Sequence, residues 1–270
     1  MPRALVADLQ QPDTAAALAR YYDLDLEDDP ADVDMYLAFA EAADGPILEL
    51  MAGSGRVAVP LAEAGHQVTA VDRDAAMLAR AAALWQRSAG RAAAGGTLET
   101  IEADVTTLAL ESRFDLVIVA LNSLLLLDGR DAQRKLLDVV ARHLQPDGRA
   151  VIDVWLPTPD DLRIYDGRLI LDWVRTDKES GEHVAKSTAA RYSSGARTAR
   201  ITTLFDAWRD GSAPRRTLRD DTITFTNADE LNAFAADAGL DVETIGGDYE
   251  MGQFDADSDR VVMVCRAATR

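Results

Sequence analysis

The chain has 270 residues, 48% hydrophobic and 27% charged, enough to bury a sizeable core and too apolar for a disordered polymer. Its 28 Lys and Arg against 46 Asp and Glu give a net charge of −18, spread along the chain without a basic stripe, which excludes a nucleic-acid surface and favours neutral or cationic small substrates. The one cysteine, Cys265, excludes an intrachain disulfide; no basic leader opens the chain and no apolar run is long enough for a bilayer, so the expectation is a cytoplasmic protein with no membrane partner.

Residues 12–44 read as helical, in stretches at 15–22 and 33–43, with Asp32 as N-cap of the second. From 47 to about 157 strands and helices alternate. Strands are expected near 47–51, 67–71, 98–103, 114–120 and 149–155, and helices near 55–64, 74–90 and 131–144. Such alternation predicts an α/β fold with a doubly wound, mostly parallel sheet. After Pro157-Thr158-Pro159 the rhythm changes: β-type runs near 168–175, 183–192, 198–208 and 216–225, parted by Ser and Gly turns, predict an inserted antiparallel meander. A helix returns at 227–238, opened by Asn227 with Glu230 three residues on and stopped by Gly239. Strand-like 240–246 and 260–266 follow, and the apolar run around Cys265 makes that thiol a core residue. Three units are expected: a helical segment, 1–46, covering the site; an α/β core of 47–157 and 226–270; and a β subdomain, 158–225, over the substrate.

The stretch with the most chemical content is 47–55, Ile-Leu-Glu-Leu-Met-Ala-Gly-Ser-Gly, followed at 67–72 by Gln-Val-Thr-Ala-Val-Asp. Physically this is a buried strand, a glycine turn, a helix, and a second strand ending in a carboxylate. Gly53 and Gly55 allow backbone angles that a Cβ would block, and Asp72 falls at the strand end where open α/β sheets bind ligands. Gly53 to Ala58 also satisfies G-x-G-x-x-A, the dinucleotide fingerprint, so a nicotinamide oxidoreductase is a rival. Against it stand Glu49, a carboxylate inside a buried strand, and Arg56, which would crowd a pyrophosphate but suits an amino-acid carboxylate.

The series Glu49/Gly53/Gly55, Asp72, Asp104, Phe114-Asp115 and Pro146-Asp147-Gly148 resembles that of the class I S-adenosylmethionine-dependent methyltransferases. The Leu-Asn-Ser at 121–123 and Tyr21-Tyr22-Asp23 are similar to the subgroup that methylates small molecules, amines and amino sugars among them. The resemblance implies a seven-stranded sheet, the cofactor S-adenosylmethionine and the product S-adenosylhomocysteine. It implies that Ala52, Gly53 and Gly55 let the backbone approach the methionine part and that Arg56 pairs with its carboxylate. Asp72 would take the ribose hydroxyls, Arg73 and Met77 would flank the adenine, Asp104 would accept from its amino group, and Val105 would pack the ring. Leu121 would offer its carbonyl to the ammonium, Glu49 would support the turn, and Tyr21 would close over the site.

Relatives often carry a histidine after Asn-Ser, where this chain has four leucines, 124–127; no catalytic residue is assigned, His66 and His143 read as structural, and His183 reads as a surface residue of the meander that could reach a substrate. Asn122, Tyr165, Trp173, Tyr192 and Trp208 are candidates to touch substrate, and no metal site is expected. The reading is methyl transfer to an N- or O-nucleophile of a small molecule by a monomer or homodimer. The alternative is a non-catalytic S-adenosylmethionine-binding regulator or partner subunit, separated from the enzyme by whether the meander leaves a cavity.

Overall fold

The computed structural model describes residues 12–27 and 31–268. The opening pentapeptide read for a leader, and part of the acidic segment between the first two helices, lie outside the described residues. Two helices, α1 (Pro12–Asp25) and α2 (Val33–Glu41), precede the first strand. The core then runs β1 (Ile47–Leu50), α3 (Ala58–Glu63), β2 (Gln67–Asp72), α4 (Ala75–Ser88), β3 (Thr97–Glu102), β4 (Phe114–Val119), α5 (Gly129–His143) and β5 (Leu144–Trp155). A short α6 (Pro159–Arg163) leads into four long strands, β6 (Asp166–Thr176), β7 (His183–Ser193), β8 (Thr198–Trp208) and β9 (Arg215–Thr224). The chain closes with α7 (Ala228–Asp237), β10 (Leu240–Gly246) and β11 (Arg260–Ala267). Among the described residues no helix is long and apolar enough to cross a membrane.

The main sheet has seven strands in the order β10-β11-β5-β4-β1-β2-β3, and β11 runs antiparallel to both neighbours. Every residue of β1 is buried, as a central strand covered on both faces requires. On one face Ile47, Leu116, Ile118 and Val151 pack with α2 and α3; on the other Leu48, Leu50, Val117 and Ile152 pack with α5 and α7. Cys265 is wholly buried in the second layer, as its apolar run predicts. The winding reverses at β1, which lies between β2 and β4, so a crevice opens at the carboxyl ends of β1 and β4.

Beside this sheet, β6-β7-β8-β9 form the expected meander, each strand antiparallel to the next. One end of its inner face packs on α1 through Trp173, Val184, Phe205 and Ala207. The other end joins the main core through Tyr192, Ala199, Ile223 and Phe225. The sheet therefore arches from α1 to α7 over the carboxyl edge of the core.

Asn227 caps α7 as its sequence predicts, with Glu230 closing the capping box. Asp32 does not cap α2. Its backbone is helical and its side chain makes no cap bond, because both carboxylate oxygens are held by Arg56.

Candidate functional site

The carboxyl edge of the sheet is conformationally strained where it forms the crevice. Met51, just after β1, has φ 60°, and Leu121 and Asn122, after β4, have φ 42° and 65°. Left-handed backbone at residues with a Cβ costs of order a kcal/mol each and persists where the surroundings enforce it. At Asn122 they do: its N–H donates to the Asp153 carbonyl at 3.1 Å and its Oδ1 accepts from the Trp155 N–H at 2.5 Å. The Asn122 side chain thus pins the end of β4 to the end of β5, which explains an amide there without substrate.

In the turn after β1 the two glycines serve different ends. Gly53 has φ 56°, and among the described residues a Cβ placed there would meet only the Tyr22 ring, 3.9 Å away, so space lies open beside it. A Cβ at Gly55 would fall 2.7 Å from the Ala81 Cβ. The absence of a Cβ at Gly55 therefore lets α4 pack against the turn. Ala52 is buried and donates to the Val71 carbonyl at 3.0 Å, keeping the turn against β2.

Asp72 ends β2 beside that turn. Its Oδ2 accepts from the Gly53 N–H at 2.8 Å and its Oδ1 from the Asp74 N–H at 2.9 Å. Two carboxylate oxygens offer about four lone-pair positions, so acceptor capacity remains for a ligand. Asp104, two residues beyond β3, is exposed and accepts from the Thr106 N–H and hydroxyl, both at 2.8 Å, which lowers its pKa with help from Arg73. Val105 and Met77 are buried and Arg73 is exposed. Asp74 caps α4, accepting from the Ala76 and Met77 N–H groups, and so fixes Met77 in the first turn.

Glu49 is 2% exposed, and its Oε2 has no hydrogen-bond partner among the described residues. Burial pushes its pKa up to about 8 against the opposing pull of Arg56 and a bond from the Ala58 N–H, so it is largely protonated at neutral pH. Arg56 is already occupied. It grips the wholly buried Asp32 with two bonds, of 2.5 and 2.7 Å, a charge pair sequence reasoning missed because 24 residues separate the partners. A guanidinium carries five N–H groups, so further donors remain on it. Alongside lies a second buried pair, Asp153 with Arg260 at 2.7 Å; burial raises the Asp153 carboxyl to about 6.

The cover over the turn comes from α1, one residue later than expected. Tyr21 is completely buried, its ring 5.0 Å from Phe205, and its hydroxyl accepts from Arg215 at 3.3 Å. The ring beside Gly53 is that of Tyr22, whose phenol feels Arg56 and Glu49 from the turn and Arg219 from the meander. Asp23 ties the helix down, accepting from the Ser54 hydroxyl at 2.6 Å and pairing with Arg80. Sequence placed a tyrosine here but could not fix the register of α1.

The aromatic candidates divide. Tyr192 packs on Phe225 and lines a cavity of about 800 Å³ with Leu156, Leu162, Phe225 and Phe254. Tyr165 packs partly buried beside this core. Trp173 is spent on holding α1, stacking near Phe205 and donating to Asp25 at 2.8 Å. Trp208 lies on the outer face beside His183, away from the crevice. A smaller cleft of about 370 Å³, lined by Asp44, Asp115 and Asp147, opens at the amino edge of the sheet, opposite the strained backbone.

The histidines lie in three different surroundings. His143 is buried, hydrogen-bonded by Nδ1 to the Val139 carbonyl at 2.7 Å and by Nε2 to the Leu110 N–H at 2.9 Å, and desolvation lowers its pKa. His66 precedes β2 at the amino edge. His183 contacts Thr176 and Asp210 at the start of β7.

Residues 47–148 match the family model of a methyltransferase domain. The chain is 27% identical over 218 residues, 81% of each protein, to the cypemycin N-terminal methyltransferase of a Streptomyces species. It superposes on the CcbJ methyltransferase of Streptomyces caelestis with TM-score 0.70 and 27% identity, covering 88% of this chain and 96% of that one. An S-adenosylmethionine-dependent methyltransferase of Clostridium acetobutylicum shares the fold at TM-score 0.74 and 16% identity, over 94% and 98% of the two chains.

Proposed function

The chain belongs to the class I S-adenosylmethionine-dependent methyltransferases, and we propose that it methylates a neutral amine nitrogen of a small molecule held between the crevice and the meander. The observation that carries this reading is the crevice itself. Open space beside Gly53, an unpartnered Glu49 oxygen, and the Asp72 and Asp104 carboxylates at successive strand ends form a chain of acceptors suited to the cofactor's ammonium, ribose and adenine. The residues fit the group. In this proposal Asp72 holds the ribose, Asp104 the adenine amino group, and Met77, Val105 and Arg73 the ring. Ala52, Gly53 and the Leu121 carbonyl face the methionine part, and Arg56 offers its carboxylate the N–H groups that Asp32 does not use. Tyr22 takes the covering role first given to Tyr21.

Bound S-adenosylmethionine supplies a methyl group on a sulfonium already activated toward nucleophiles. What remains for the protein is to align, to exclude water and to desolvate. Tyr22, tethered through Asp23 to Ser54 and Arg80, closes the α1 side. Leu121 and Asn122, locked to β5, fix the floor. All three histidines are engaged or distant, so an acceptor that arrives unprotonated is favoured. The name of the Streptomyces N-terminal methyltransferase supports nitrogen as the acceptor.

Calorimetry with S-adenosylhomocysteine and with NAD tests the cofactor; tighter binding of NAD would end the reading. For the acceptor, release of S-adenosylhomocysteine is measured against pH with a panel of small amines. The rate rises as the amine loses its proton and then levels off. His183→Ala lowers it by less than about tenfold, below the range for a general base.

A further inference from the structure

Among the described residues six large hydrophobic side chains are exposed, and five of them lie together: Ile164, Leu169, Ile170, Leu171 and Val174, between 46% and 60% exposed. Four belong to β6, the end strand of the meander, which pairs with β7 alone among the described residues. An end strand presents a row of backbone N–H and C=O groups along its outer edge, and sheets commonly blunt such an edge with lysine or proline. β6 carries neither. Its apolar side chains are also poorly covered from within the sheet. Leu169, Leu171 and Val174 stand opposite Ala189, Ser187 and Ala185 of β7, which are too small to shield them. A contiguous apolar patch of this kind marks an interaction surface.

The strand is held in place from its other side. Trp173 donates to Asp25 of α1 at 2.8 Å, and Arg175 donates to the Leu24 carbonyl. Register with β7 shifts between Asp166 and Leu169 and again between Leu171 and Trp173, so the three residues 169–171 form a regular stretch between two irregular ones.

Charge decides what can cover this edge. The chain carries −18, so two copies repel unless they meet where charge is balanced. Residues 164–176 set Asp166 and Asp172 against Arg168 and Arg175 and are locally neutral. When β6 pairs with its own copy about a two-fold axis, a residue must sit on that axis, because directly opposed residues share a face of the sheet. With Leu169 on the axis, Asp166 meets Asp172 of the second copy, a repulsive pair. With Leu171 there, Ile170 meets Asp172 and Arg168 meets Val174. With Ile170 there, Leu169 meets Leu171 and Arg168 meets Asp172, and symmetry repeats both contacts. Of the three, this register alone sets apolar against apolar and opposite charges together. Asp172 already accepts from the Thr188 hydroxyl at 2.5 Å and Arg168 pairs with Asp166 at 2.6 Å, but a carboxylate and a guanidinium each keep capacity for a further bond.

We propose that the outer edge of β6 pairs antiparallel with the same edge of a second copy, Ile170 facing Ile170, so that two four-stranded meanders join into one continuous sheet. This interface is independent of the methyltransferase reading of the crevice.

Sedimentation of the whole chain at micromolar concentration is expected to give twice the mass of one chain. Ile170→Lys sets like charges on the axis and should raise the dimer dissociation constant roughly a hundredfold or more, with circular dichroism and Tm unchanged at this exposed site. Arg168→Asp, opposite Asp172, should raise it by a smaller factor. Cysteine substitution reads the register, since the native Cys265 is buried. Directly opposed residues of an antiparallel pair lie about 4.5–5.5 Å apart at Cα, within the span of a disulfide. Under mild oxidation Ile170→Cys should link to itself, whereas Leu169→Cys should link only to Leu171→Cys in a mixture of the two. A monomer at every concentration overturns the proposal. So does a dimer indifferent to Ile170→Lys, which would lie on another surface, or a dimer in which Ile170→Cys fails to link.

Discussion

The carboxyl edge of the seven-stranded sheet and the inner face of the meander border the same crevice and are built in opposite ways. At the sheet edge, chemistry is local: Glu49, Gly53 and Asp72 fall within 24 residues, and each is set by where a buried strand stops. Its polar groups include an orphan, the Glu49 oxygen. On the meander, chemistry comes from lateral register: Thr188, Thr203 and Arg219 are neighbours only because three strands pair. Its charges are matched within the protein. The first face is legible along the chain, whereas the second exists only through strand pairing.

The largest test of this contrast uses the adjacent tyrosines of α1, one facing each region. Tyr21→Ala empties a fully buried site against Phe205 and should cost about 3–5 kcal/mol of stability, read by denaturant unfolding. Tyr22→Ala should cost less stability and weaken S-adenosylhomocysteine binding instead. The reverse pattern would put Tyr21 back over the cofactor.

At the sheet edge, Asp72→Ala should reduce S-adenosylhomocysteine affinity by roughly a hundredfold or more, since two charge-assisted bonds contribute about 1.5–3 kcal/mol each. Loss of the bond from Gly53 should lower Tm as well, without unfolding the protein at 25 °C. An unchanged affinity in the folded variant would move the ribose elsewhere.

Glu49 gives the pH signature of the orphan. Its carboxyl is raised from 4.5 to about 8 by burial, so over that window the folded chain binds more protons here than the unfolded chain. Its contribution to stability is therefore fully present at low pH and falls as pH rises toward 8. Glu49→Gln removes the titration. Thermal unfolding from pH 5 to 9 should show the wild type losing Tm relative to the variant. Parallel curves would mean that Glu49 is already ionised and paired.

The smallest effect concerns Tyr36, whose buried hydroxyl has no partner among the described residues. Tyr36→Phe should be neutral or stabilising by up to about 1 kcal/mol. A clear destabilisation would show that the hydroxyl belongs to the Asp32–Arg56 network beside it.

The sequence by itself determined the strand-turn-helix unit, the order of the acidic strand ends, the inserted meander and the capped α7. These depend on hydrophobic period, glycine and caps, which act over a few residues. It could not decide which tyrosine of α1 faces the turn: one residue is a 100° rotation, and a weakly amphipathic helix does not fix its own register. It assigned Asp32 to a cap and missed its pair with Arg56, because a salt bridge between distant segments leaves no spacing to read. Nor could it find the row of Thr188, Thr203 and Arg219, which lie abreast only because three strands pair. Only the tertiary structure brings those strands abreast, since lateral pairing in a sheet joins residues by register and not by distance along the chain.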